Sequence, residues 1–102
     1  MSGSGIENID DVIHGRLRMG VMAYLAQSES ASFTELKDAL GVTQGNLSIQ
    51  LRKLEDAGYV SVDKQIVGRK ALTTLRITPQ GRAAFAAYLK ALSDLLGLDG
   101  KA

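Results

Sequence analysis

Apolar positions recur with a helical period in four stretches of the chain and with a two-residue period in two others. The first stretch predicts a helix from Asp11 to about Gln27, capped by Asp10 or Asp11 and ended by the serine-rich "SESAS". On it Ile13, Leu17, Gly20, Val21 and Tyr24 share one side, while Val12, Met19, Met22 and Ala26 form a second apolar side. A short extended piece around Ser32 and Phe33 follows, and Thr34 is expected to cap a helix that Gly41 ends after Leu40. Thr43 caps the next helix, "TQGNLSIQLRKL" onward to Gly58, with Leu47, Leu51 and Leu54 on its inner stripe. The turn "GVT" between these two helices has the spacing of a helix-turn-helix.

From Tyr59 the period changes to two. Val60 and Val62, then Leu75 and Ile77, alternate with polar residues and read as half-buried strands. Pairing Val62 with Leu75 also pairs Val60 with Ile77 and leaves "VGRK", Val67 to Lys70, at the hairpin tip. Thr78 and Pro79 open a last helix as N-cap and first residue. Its main stripe is Phe85, Leu89, Leu92 and Leu96, with a second one at Ala84, Tyr88, Ala91 and Leu95. Each terminal helix therefore carries one apolar face more than a single core requires.

A chain of 102 residues, 45% of them hydrophobic, makes one domain with one core. It is divided here into a flexible segment at 1–10, the folded domain at 11–97 and a flexible end at 98–102, with Ser2 to Gly5 read as a tail, natural or appended. Cysteine is absent, which removes disulfides, thiol nucleophiles and thiolate metal sites and fits an intracellular setting. No apolar run approaches the roughly 18 residues that span a bilayer. The start lacks the basic and apolar regions of a signal peptide, so a cytoplasmic protein without membrane partners is expected.

The net charge of +1 conceals a gradient. Residues 1–41 hold three basic and six acidic side chains, residues 42–82 seven and three, and residues 83–102 two and two, giving −3, +4 and 0. The positive segment contains the third helix and the hairpin. No Ser-His-Asp set, phosphate-cradling glycine loop or carboxylate pair with a pocket is legible, so no catalytic residue is assigned and an enzyme is not expected. "GRLRMG" lies inside a helix rather than after a strand and is no nucleotide fingerprint. His14 is the only histidine; one imidazole rarely holds a metal, and no metal or other cofactor is expected.

Helix, short helix, turn, helix, two-stranded hairpin, helix is the order of a winged helix-turn-helix, mainly α with a small β-hairpin and room for a short strand before the second helix. "SFTELKDALGVTQGNLSIQLRKLEDAGYV" followed by "LRITPQGR" resembles the MarR-type and ArsR-type transcription regulators over about Ile13 to Leu92. The resemblance implies a third helix that lies in the major groove of double-stranded DNA. Its outer side is short and uncrowded: Gly45 would admit backbone close to a phosphate, Ile49 a thymine methyl, and Arg52 a guanine or phosphate. Gln44, Asn46 and Ser48 supply donors and acceptors, and Thr34 and Thr43 stand at helix starts suited to phosphate. Asn46 equally fits a local bond at the third helical position. Lys64, Arg69 and Lys70 make the hairpin a basic wing for the phosphate backbone or minor groove.

The resembled regulators are two-fold dimers that repress from inverted repeats, with reading helices roughly 34 Å apart. Met19, Met22, Tyr88 and Leu95 are the candidates for such an interface; alternatively the terminal helices pack together inside one subunit and consume those faces. The chain is shorter than MarR-type proteins and lacks the cysteines of thiol-based metal sensors, so neither an effector nor a signal is assigned. The reading from another class is a winged-helix module that binds protein instead of DNA.

Overall fold

The structure is a computed structural model that describes residues 5–98. Its order is a single 3-10 turn at Ile6–Asn8, then α1 (Arg16–Ser28), β1 (Ser30–Ser32), α2 (Phe33–Leu40), α3 (Gln44–Asp56), β2 (Val60–Val67), β3 (Lys70–Ile77) and α4 (Pro79–Leu96). The three strands form one antiparallel sheet in the order β1-β3-β2. This is the expected winged helix-turn-helix, including the extra strand.

The hairpin register is the one that alternation predicts: Val60 lies opposite Ile77, Val62 opposite Leu75, and Val67 opposite Lys70. Gly68, at φ 66°, supplies the left-handed residue that its two-residue turn needs. Thr78 caps α4 by accepting from the Gly81 amide at 2.9 Å, with Pro79 first in the helix. Thr43 caps α3 through the Asn46 amide at 3.2 Å. Gly41 ends α2 in the left-handed conformation.

Three local expectations are corrected. Helix α1 begins at Arg16, not Asp11. The Asp10 carboxylate accepts from the amides of Val12 and Ile13, which closes a separate turn, and Gly15 then runs extended before the helix starts. One helix-like turn preserves the apolar spacing, so Ile13 is buried although it is not helical. The cap of α2 is Ser32, whose hydroxyl accepts from Glu35; Thr34 is the second helical residue. The folded body also starts before residue 11, since Ile9 packs on the core and the Tyr59 hydroxyl donates to Asp10 at 2.6 Å. Of the two segments expected to be flexible, residues 1–4 and 99–102 lie outside the described residues.

The core gathers Val21, Met22 and Leu25 of α1, Leu36, the stripe Leu47, Leu51 and Leu54 of α3, Val60, Leu75 and Ile77 of the sheet, and Phe85 and Tyr88 of α4. Helix α1 is central, packing against α2, α3, α4 and strands β1 and β3. No helix of the described residues is long and apolar enough to cross a membrane.

Candidate nucleic-acid interface

Because Leu47, Leu51 and Leu54 hold α3 to the core, the remaining positions of that helix face outward, except that Gln50 is half-buried on the α1 side. Gly45 and Ile49 form the crest, and Ile49 is 58% exposed. A side chain added at Gly45 would meet no atom within 4 Å, so nothing in the fold demands glycine there. Glycine weakens a helix through backbone entropy, and here no internal contact offsets that cost.

Down one flank of α3, Gln44, Ser48 and Arg52 face Lys64 and Thr73 of the hairpin across a groove of about 620 Å³ floored by Leu51 and Leu75. The sheet places Val62, Lys64 and Ile66 on this face by strict alternation, while Asp63 and Gln65 point away, joined by a 3.1 Å hydrogen bond. Helix and wing therefore straddle a trough with a cation on its hairpin side. The Arg52 guanidinium lies 3.6 Å from Asp56 one turn on, with both side chains exposed. An exposed pair of this kind is worth little, which leaves Arg52 free to exchange partners.

At the wing tip Arg69 and Lys70 are exposed, and Ile66 is among the most exposed apolar residues. Among the described residues, none of Lys64, Arg69 and Lys70 is paired with a carboxylate. Thr34 is exposed on α2 but does not line the groove. The Thr43 hydroxyl already accepts from an amide and retains its own proton to donate.

On the opposite flank, Asn46 makes the local bond that was one of the two readings considered for it. Its carbonyl oxygen accepts locally from the Gln50 side chain at 3.2 Å, and it is exposed. Gln50 in turn accepts from Arg18 of α1. Neither Gln50 nor Arg18 was singled out from sequence; the four-residue spacing of Asn46 and Gln50 was the available signal, since side chains so spaced meet on a helix.

The candidate dimer residues divide. Met22 is 0% exposed and Tyr88 1%, both filled in by their own chain, so they are corrected from interface to core. The reason is the packing of α4 on α1, which consumes one apolar face of each helix. The Tyr88 hydroxyl lies 3.0 Å from His14 Nδ1 and 3.4 Å from Met19 Sδ, so the single histidine ties the segment before α1 to α4. Met19 remains partly exposed and Leu95 half-buried, while Leu89 and Leu96 stand exposed on α4.

The winged helix DNA-binding domain family matches residues 17–96. Over 84 residues the chain is 33% identical to an uncharacterized protein of Methanocaldococcus jannaschii, covering 82% of this chain and 91% of that protein. It superimposes on the transcriptional regulator homologue protein from Pyrococcus horikoshii OT3 with a TM-score of 0.80, at 31% identity over 86% of this chain and 88% of the other. An ArsR family transcriptional regulator shares the fold at 21% identity, with a TM-score of 0.62 over 96% and 94% of the two chains. Family and fold point to a DNA-binding regulator rather than an enzyme. With an uncrowded third helix beside a cationic hairpin, the chain belongs to the winged helix DNA-binding domain family, in the architecture of the MarR- and ArsR-type transcription regulators.

Proposed function

We propose that the chain is a sequence-specific transcription regulator that acts in the cytoplasm, binds an inverted-repeat operator as a homodimer and represses from it. The observation that carries this reading is the crest of α3, where Gly45 opens onto empty space beside an exposed Ile49. In the major groove this crest would approach base edges, with Ile49 against a thymine methyl and Gln44, Asn46, Ser48 and Arg52 as polar readers. Thr34 and Thr43 would donate to phosphates, and Lys64, Arg69 and Lys70 would grip the backbone alongside.

The dimer would use the apolar residues of the terminal helices that the core leaves uncovered: Leu89 and Leu96, with Met19 and Leu95. Two copies related by a two-fold axis impose the same symmetry on the DNA, hence an inverted repeat. Three wing cations per protomer give a dimer about six phosphate contacts, enough to lose on the order of a thousandfold in affinity between 50 and 200 mM salt.

Selection of bound duplexes from a random pool tests the proposal. An inverted repeat with half-sites one helical turn apart is expected, bound with a steep salt dependence. No enriched sequence, or binding indifferent to salt, would point instead to a winged-helix module that recognises protein.

A further inference from the structure

An asparagine side chain can present either its carbonyl or its amino group, and its neighbours decide which. At Asn46 the decision is made by Gln50, four residues on, in a relay that starts on another helix. A guanidinium only donates. Arg18 Nη1 lies 2.5 Å from Gln50 Oε1, so the Gln50 carbonyl must face Arg18 and its amino group must face the other way. That amino group donates to Asn46 Oδ1 at 3.2 Å, so the Asn46 carbonyl is engaged at the protein side and its amino group is left outward.

The start of the relay is itself held. The Arg18 Nε donates to the Val12 carbonyl, and Gly15 leaves the room in which the guanidinium lies: a Cβ at Gly15 would come within 2.6 Å of Arg18 Nη2. Gly15 runs at φ −149°, open to any residue, so its backbone does not call for glycine. The space for Arg18 does.

We infer that Arg18 is a positioning residue for base choice: through Gln50 it fixes Asn46 as a donor toward the major groove. The inference rests on α3 being the reading helix. A bidentate asparagine–adenine contact needs the carbonyl for the adenine amino group and the amino group for N7. With its carbonyl turned toward Gln50, Asn46 instead leads with its amino group and suits an edge made only of acceptors, which guanine offers at O6 and N7. Arg18 touches no DNA in this scheme.

The test uses the full chain and a duplex chosen by selection from a random pool. Asn46→Ala first identifies the base pair whose preference is lost. At that pair the parent protein should prefer guanine to adenine by about tenfold, the scale of one good base contact. Arg18→Met, which keeps the apolar stem and removes the donors, should reduce that ratio toward one without altering preferences elsewhere or the salt slope. Gly15→Ala keeps the charge but displaces the guanidinium, and should lose the same ratio. An unchanged ratio in folded Arg18→Met and Gly15→Ala proteins would overturn the inference. So would a uniform loss across all sequences with a shallower salt slope, since that marks Arg18 as a phosphate contact, or an Asn46→Ala protein with no altered preference. If the parent selects no sequence at all, it is the DNA-reading proposal that fails.

Discussion

In the proposed DNA-reading mode, the demands of folding and of binding diverge at Gly45. Alanine at this second position of α3 meets no atom within 4 Å and should stabilise the helix by roughly 0.5 kcal/mol. The same methyl would stand between the backbone and a phosphate or sugar. Gly45→Ala is therefore expected to raise the thermal midpoint while weakening DNA affinity, measured by melting and by anisotropy of a labelled duplex; a variant that binds as well as the parent would remove glycine from the interface. Tyr59 shows the opposite case, a residue kept for the fold. Its hydroxyl donates to Asp10, and this bond, then desolvation and the nearby negative charge, raise its pKa above the ordinary 10.0. A raised acid binds its proton more tightly when folded, so the contribution is full below pH 10 and is lost as pH climbs through the folded value. The stability gap between the parent and Tyr59→Phe, about 1 kcal/mol, should stay constant through neutral pH and close above pH 10 in chemical denaturation. Sequence revealed Gly45 because helix periodicity locates a glycine on an outer face. It could not reveal Tyr59 or Arg18, whose partners lie 49 and 32 residues away along the chain.

At the scale of elements, what was legible had a local cause. The hairpin register followed from alternation, the starts of α3 and α4 from Thr43 and Thr78, and the end of α2 from Gly41, because each depends on residues within a few positions. The start of α1 was misplaced because Asp10 closes a turn whose apolar spacing imitates a helix. The junction of hairpin and α4 depends on a contact that no pattern announces. A Cβ at Gly81 would fall 2.1 Å from the Tyr59 carbonyl oxygen, a backbone atom that cannot swing aside. Gly81→Ala should therefore cost about 1–3 kcal/mol as an overpacked site, seen as a lower midpoint in urea; an unchanged midpoint would mean the junction is looser than its geometry. The proposed mode also gives helix and wing different contributions to binding. Arg52→Ala should cost about 1–3 kcal/mol and relax choice at one base pair, whereas Lys70→Ala should weaken all sequences alike and reduce the salt slope by about one. Equal behaviour of the two variants in competition binding would erase the division between reading helix and gripping wing.

The molecule as a whole is elongated, 56 Å in its longest dimension against 25 and 24 Å, with a radius of gyration of 15.3 Å. A compact chain of about 100 residues would have roughly 13 Å. One small core leaves apolar surface uncovered on the outer hairpin around Ile66 and at the exposed leucines of α4. Apolar periodicity predicted a spare face on each terminal helix but could not say which a single chain would fill, because that depends on how α1 and α4 cross; on α4, Leu89 and Leu96 of the expected main stripe stand exposed while Tyr88 of the second is buried. Packing assigned Met22 and Tyr88 inward and left Leu89 and Leu96 outward. Two surfaces thus compete for the role of principal contact, the α3 crest with its wing and the exposed side of α4. Backbone amide chemical shifts, followed by NMR as the selected duplex is added at low salt, separate them most directly. The largest changes should fall on Thr43 to Ile49 and on Ile66 to Lys70. Changes confined to α1 and α4, or none anywhere, would contradict a DNA-reading surface on the third helix.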